Sequence, residues 1–179
     1  MNEHVKTASP DIVDIWAGDQ QLPAWFTDAM AVPREDSFVE VNGHRVHYFR
    51  WGTRGKPPLL MTHGFLAHAR CFAFIAPFLA KEYDVIAYDL AGMGDSAITP
   101  DCDGDKRAAD MVALADALDL FSGDVKPKLI AHSFGSGVAL TAMEMAGERF
   151  GGLIICDLMV MRPARLAEHF KGGGGPPGS

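Results

Sequence analysis

Apolar and polar positions repeat along this chain with two different periods, and the switches between them mark out the elements. From Phe38 the period is two: Phe38-Val39-Glu40-Val41, then Asn42-Gly43, then His44 to Trp51. Two such runs around an Asn-Gly pair predict an antiparallel hairpin. A short apolar run, Pro58 to Thr62, comes next, and Phe72, Ile75, Ala76 and Leu79 then fall at i, i+3, i+4 and i+7 on one helical face. The alternation repeats with an apolar run from Tyr83 to Leu90 and a helical stripe of Ala108, Met111, Val112, Ala115 and Leu118. A third round joins Lys128 to Ala131 with Val138, Thr141, Ala142 and Met145, and Leu153 to Cys156 opens a sixth strand reaching to about residue 160. Strands apolar on both faces and separated by helices predict an α/β fold: a mostly parallel sheet covered by helices and entered through an antiparallel hairpin.

The ends of the chain break this rhythm. Residues 1–35 mix Pro10, Pro23 and Pro33 with Trp16, Trp25 and Phe26, which predicts a short helical or irregular arm that packs its aromatics. Beyond the βα body of 36–161, Arg162-Pro163 precedes a short helix to Lys171. Four glycines and two prolines then read as a linker, a loop or an engineered scar.

Composition narrows the function classes. Across 179 residues, 48% are hydrophobic and 22% charged, which suits one globular domain. A net charge of −7 without a basic block argues against a nucleic-acid surface or a polybasic membrane patch. Small neutral or hydrophobic partners fit better. Cys71, Cys102 and Cys156 lack CxxC spacing, so neither a disulfide framework nor a zinc site is expected. Met1 to Trp16 contains Glu3, Asp11 and Asp14 and no apolar signal core, and no run approaches the ~18 residues of a membrane span. A cytoplasmic location is the expectation.

Three glycine-bearing turns close three successive predicted strands: His63-Gly64-Phe65, Asp89 to Ser96, and Ala131-His132-Ser133-Phe134-Gly135. The C-terminal edge of a parallel sheet is where ligands bind. In the third turn a serine sits between strand and helix with small residues two positions to either side, the pattern of a nucleophile elbow, with Ala131 where the first glycine usually stands. Such a turn needs an unfavourable backbone angle at Ser133, which leaves no room for bulk at 131 or Gly135. The amide after the nucleophile, Phe134, and an amide of the loop after the third strand, Phe65, would form an oxyanion hole. His63 and Gly64 belong to that loop, where His63 is expected to hold it by hydrogen bonding. His132 precedes the serine and would point to the other side of its strand, so neither histidine is expected to be the base. Asp89, Gly92, Gly94, Asp95 and Ser96 read as a tight supporting turn. Their G-x-G lacks the third glycine of a dinucleotide fingerprint.

The H-G, D-x-x-G-x-G-x-S and x-H-S-x-G turns, in this order and spacing, make the chain from Phe38 to Val160 resemble the α/β-hydrolase fold family. The similarity is to the lid-bearing branch that holds carboxylesterases, C–C bond hydrolases, haloperoxidase-like enzymes, epoxide hydrolases and haloalkane dehalogenases. The last two groups carry an aspartate nucleophile; Ser133 instead implies cleavage of an ester, thioester or C–C bond through an acyl-enzyme. Leu66 departs from the proline common in the epoxide-hydrolase group.

That resemblance implies strands one to six of eight, with a lid after the sixth, an acid after the seventh and a histidine after the eighth. Eight strand units at ~30 residues per βαβ step need about 240 residues. His169 does not occupy the family position of the base. Asp157, directly after the sixth strand, is the candidate acid in this chain, as in some members of the fold. Residues 1–179 alone are therefore expected to be inactive or nearly so, with the base supplied by a longer chain, a swapped segment or a second polypeptide. The run Leu153 to Val160 would be an exposed apolar edge without such a partner. No metal or cofactor is implied. A non-catalytic ligand- or partner-binding module, or half of a split hydrolase, is the alternative.

Overall fold

The computed structural model describes residues 22–100 and 102–158. Helix α1 (Ala24–Ala31) leads into β1 (Glu35–Val41) and β2 (His44–Trp51). Then come β3 (Pro58–Thr62), a 3₁₀ turn (Ala69–Phe72), α2 (Ala76–Leu79) and β4 (Asp84–Tyr88). The chain continues through α3 (Gly104–Ala117), β5 (Lys128–His132), α4 (Phe134–Ala146), a 3₁₀ turn (Gly147–Arg149) and β6 (Gly152–Cys156).

The six strands form one sheet in the order β1-β2-β4-β3-β5-β6. β1 pairs antiparallel with β2, and β2 antiparallel with β4; β4, β3, β5 and β6 run parallel. The hairpin turn is Asn42-Gly43 with φ of 49° and 84°, the two left-handed residues of a type I′ turn. Side chains alternate across the sheet, so each central strand feeds two cores. Tyr48, Leu60, Ile86, Tyr88 and Leu129 pack against α3 and α4 on one face. Phe49, Trp51, Leu59, Met61, Val85 and Ala87 pack beneath the 3₁₀ turn and α2 on the other. Aromatics of α1 reach the same side, with Phe26 stacked on Phe74 at 6.1 Å and Trp25 beside Phe78 at 6.4 Å. Asp103 caps α3 by accepting from the Lys106 amide at 2.9 Å.

Three sequence expectations change. The single helix spanning Phe72 to Leu79 is instead a 3₁₀ turn followed by one helical turn, and Ile75 is exposed rather than buried. Pro77 has no N–H to carry a ladder through from the preceding turn, so a new helix has to start around it. On α4 the inward stripe is Val138, Ala139, Ala142 and Ala146; Met145 is exposed and Thr141 half-buried. Small residues win those positions because α4 lies close to the equally small Ala108 and Ala115 of α3. β1 starts at Glu35, three residues ahead of Phe38.

β6 ends at Cys156, at one edge of the sheet, with Ile154 and Ile155 exposed. The sixth strand thus stops short of the expected residue 160, because Asp157 breaks it at φ 65° and Leu158 is not in a strand. Residues 159 and 160, the helix to Lys171, the Gly/Pro segment and the first 21 residues of the arm lie outside the described residues.

Candidate active site

The turn between β5 and α4 is one residue long, and that residue is Ser133. Its backbone sits at φ 51°, ψ −117°, a combination that costs an L-residue about 1–3 kcal/mol. The surroundings leave no alternative path. Ala131 is fully buried beneath the turn. A Cβ on Gly135 would lie 2.5 Å from the His63 carbonyl oxygen, and one on Gly64 would lie 3.3 Å from the Ser133 Cβ and 3.0 Å from His132 Nδ1. The Ser133 amide donates to the Cys156 carbonyl at 3.0 Å, its own carbonyl accepts from the Ser136 amide at 2.9 Å, and Ser136 Oγ donates back to Ala131 O at 3.1 Å. The backbone is thus clamped on three sides while the Ser133 side chain caps nothing and remains half-exposed.

The turn after β3 stands beside it, because β3 and β5 are neighbours in register Thr62↔Ala131. His63 is completely buried. Its Nε2 accepts the Leu90 amide at 3.1 Å, so its proton is on Nδ1, which donates to the Gly64 carbonyl at 2.8 Å. Burial pushes its pKa down, which keeps the ring neutral and both nitrogens occupied. The loop then turns through Ala67, whose amide donates to Gly64 O at 3.2 Å. Among the described residues the amides of Phe65 and Phe134 have no hydrogen-bond partner. The Phe134 amide opens a 13-residue helix, whose first amides carry the positive end of its dipole. The two phenyl rings lie 5.6 Å apart beside these amides.

The third turn follows β4. Asp89 is buried, and its carboxylate accepts from His47 Nδ1 at 2.7 Å, the Ala69 amide at 2.5 Å and the Asp95 amide at 2.9 Å. Three donors hold its pKa below the usual carboxylate range even though burial opposes them. Ser96 Oγ donates to Asp89 O at 2.7 Å and accepts from the His47 amide at 2.9 Å. Gly94, at φ 54°, lies so close to the Asp89 carboxylate that a Cβ would collide with it. On its far side His47 Nε2 meets Asp36 Oδ1 at 2.9 Å. His47, Asp89 and Asp95 are the one metal-capable group among the described residues. Both nitrogens of His47 already face carboxylates, so it has no lone pair to offer an ion.

Ser133, Phe65, Phe134, His63, Gly64, His132 and Gly135 thus all meet at the C-terminal edge of the parallel strands. Asp157 reaches the same edge at the end of β6, with φ 65°, and is exposed; its carbonyl accepts from Ser136 Oγ at 3.4 Å. Its carboxylate has no hydrogen-bond partner among the described residues. His132 is exposed and lies against Gly64. The Asp36–His47 part of the arrangement is not readable from sequence, since it depends on the Phe38↔His47 register and on where the β4 turn folds back. The one signal in the sequence is a histidine at the head of the inward β2 face that continues with Phe49 and Trp51.

Residues 57–172 match the family model described as the alpha/beta hydrolase fold. The chain is 34% identical over 135 residues to the N-formylmaleamate deformylase of Pseudomonas putida, covering 74% of this chain and 48% of that protein. It is equally 34% identical over 135 residues to the dihydrolipoyllysine-residue acetyltransferase component of the acetoin cleaving system of Pseudomonas putida, covering 75% of this chain and 34% of that one. Among solved structures, epoxide hydrolase A from Mycobacterium thermoresistibile superposes with a TM-score of 0.68 at 26% identity, covering 80% of this chain and 46% of the other. The chain spans less than half the length of each of these three proteins. No helix among the described residues is long and apolar enough to cross a membrane.

Proposed function

The chain belongs to the alpha/beta hydrolase family, and on that premise we propose that it supplies the nucleophile and oxyanion hole of a serine hydrolase acting on an ester or related acyl bond. The observation that carries this reading is Ser133 itself: a non-glycine residue in a strained turn, clamped through its backbone, beside two amides that have no partner among the described residues. Strain of that kind persists where the surrounding structure over-determines it.

In the proposed reaction Ser133 Oγ attacks the acyl carbon as its proton passes to a base. The carbonyl oxygen becomes an oxyanion facing the Phe65 and Phe134 amides, donors worth about 2.7–4 kcal/mol each in related acyl transfer. Collapse breaks the bond to the leaving group, which takes the proton back from the base, and a water then releases the acid from the acyl-enzyme. No metal or cofactor enters. His63 is neutral with both ring nitrogens engaged, so it acts as a strut. We assign the base to a segment outside residues 1–179 or to a second chain, and keep Asp157 as the candidate acid. The relatives' greater length supports that assignment. The alternative, a partner-binding module, draws on the exposed Ile154 and Ile155 of the edge strand.

Hydrolysis of p-nitrophenyl acetate separates these. The 179-residue chain alone should match its Ser133→Ala variant, since loss of the base costs on the order of 10⁶ in kcat. Above the imidazole-only background rate, added imidazole should raise turnover in the wild type only. Equal response of both proteins contradicts the nucleophile; Ser133-dependent turnover without imidazole places the base within the chain.

A further inference from the structure

The oxyanion turn is held from its far end by a charged network that the reaction itself does not use. His47 lies on β2 with 1% of its surface exposed, and each ring nitrogen faces a carboxylate: Nδ1 to Asp89 at 2.7 Å, Nε2 to Asp36 at 2.9 Å. Ionised carboxylates only accept, so both nitrogens must donate and the ring is an imidazolium. A third carboxylate, that of exposed Asp95, lies within 4.8 Å of the ring; the remaining charged groups around it are cations, each set back behind a ring. Phe38 and Phe49 flank the imidazole at 5.0 and 4.7 Å; the Arg45 guanidinium lies over Phe38, and those of Arg34 and Arg70 over Phe49. His63 Nε2 is 3.9 Å from the opposite carboxylate oxygen of Asp89 and is already accepting from Leu90.

Asp89 passes this charge on. One oxygen holds His47 and the Asp95 amide, and the other holds the Ala69 amide, the first residue of the 3₁₀ turn that closes the 63–69 loop. The near end of that loop is fixed by His63, between Gly64 O and the Leu90 amide. Both ends of the loop carrying Phe65 are therefore tied to residues 89–90, one by a neutral histidine and one by a carboxylate that is itself paired with His47. Between them Leu66 is at φ 53° and 81% exposed, so the loop's own packing does little to hold it.

We propose that His47 is a positioning residue: as an imidazolium between Asp36 and Asp89 it fixes the Asp89 carboxylate, and through the Ala69 amide it sets the loop that presents the Phe65 amide to the reacting oxygen. The consequence for catalysis rests on the serine-hydrolase reading above; the hold on the loop does not. Loss of one His47 proton leaves the ring a single N–H, so one of the two carboxylates faces a lone pair and the cation that held Asp36 and Asp89 together is gone. The loop then loosens while the elbow, which has no such ionic tie, stays put.

The test uses the whole 179-residue chain. Imidazole nitrogen shifts should show both His47 nitrogens protonated at pH 7, and amide-exchange protection at Ala69 should fall with the same midpoint as His47 deprotonation, while Leu114 of α3 stays protected. Asp36→Asn keeps the fold, since Asp36 is half-exposed and its amide still offers an oxygen to His47. It should lower the His47 midpoint and cut Ala69 protection about tenfold at neutral pH. A neutral His47 at pH 7, or Ala69 protection indifferent to both, overturns the proposal. Fluorophosphonate labelling in excess imidazole supplies the second arm. It should slow about tenfold or more in Asp36→Asn, as a misplaced catalytic donor does. An unchanged labelling rate despite lost Ala69 protection overturns the link to Phe65. Absence of any Ser133 labelling with Ala69 still following His47 refutes the nucleophile and leaves His47's hold on the loop standing.

Discussion

The elbow at Ser133 and the turn at Asp89 close neighbouring parts of the same sheet edge, and they are held in opposite ways. Around Ser133 the constraint is volume: Ala131, Gly64 and Gly135 let backbones approach to distances that no larger residue permits, and the hydrogen bonds there are neutral. Around Asp89 the constraint is charge: one buried carboxylate gathers three donors, one of them an imidazolium. A volume constraint is blind to pH and intolerant of a methyl group. A charge constraint depends on protonation, and at Asp89 it is added to a steric one, since a Cβ on Gly94 would collide with the carboxylate. The loop carrying Phe65 lies between the two and depends on both.

The most damaging way to break the comparison is Asp89→Ala, which strands the Ala69 and Asp95 amides, His47 Nδ1 and, through it, the Asp36 pair. Removing one partner of a buried ion pair costs about 3–5 kcal/mol, so urea unfolding should show a loss in that range. A loss below 1 kcal/mol would mean the network holds little. Next comes Gly135→Ala, a single methyl that meets the His63 carbonyl; overpacking of this kind costs about 1–3 kcal/mol and should also reduce Ser133 reactivity.

Acidity sharpens the contrast without a mutation. Asp89 is depressed, chiefly by its His47 bond against opposing burial, so its contribution is present above the free carboxylate pKa near 4 and disappears as pH falls through the lower folded value. His47 is raised by the Asp89 and Asp36 bonds, which outweigh a burial effect of opposite sign. Its contribution is full below the free imidazole pKa near 6.5 and is lost as pH rises through the higher folded value. Stability should therefore peak between these limits. Asp89→Asn should flatten the profile on both sides, whereas Gly135→Ala should lower it uniformly; a uniform drop in both would erase the distinction.

Much of this was legible in the sequence, and what was hidden has physical reasons. The strands stood out because parallel strands buried on both faces are apolar throughout, and the elbow because its steric demand at 131 and 135 is local. The break at Pro77 was masked because a 3₁₀ turn followed by one α turn brings Phe72 and Ala76 inward much as a continuous helix does. The inward face of α4 departs from the hydrophobic pattern because contact with α3 selects alanine over the more hydrophobic Met145. His47 was invisible because its partners are 11 and 42 residues away and meet it only once the hairpin register and the crossover from β2 to β4 are set.

The smallest effect expected concerns strain. Ser133→Gly removes a Cβ from a backbone at φ 51° and should stabilise the chain by about 1 kcal/mol, read as a higher urea midpoint with unchanged slope. A destabilised glycine variant would mean that the serine side chain contributes to holding the turn.

The central claim is that this elbow presents Ser133 as a nucleophile once a base is at hand. The most direct measurement is intact-mass and peptide mapping of the 179-residue chain after exposure to a fluorophosphonate, with and without imidazole. The account predicts one adduct, on Ser133, forming faster as imidazole is added and absent from Ser133→Ala. A folded chain that gains no adduct at Ser133 at any imidazole concentration, or gains one elsewhere that Ser133→Ala does not abolish, would contradict it.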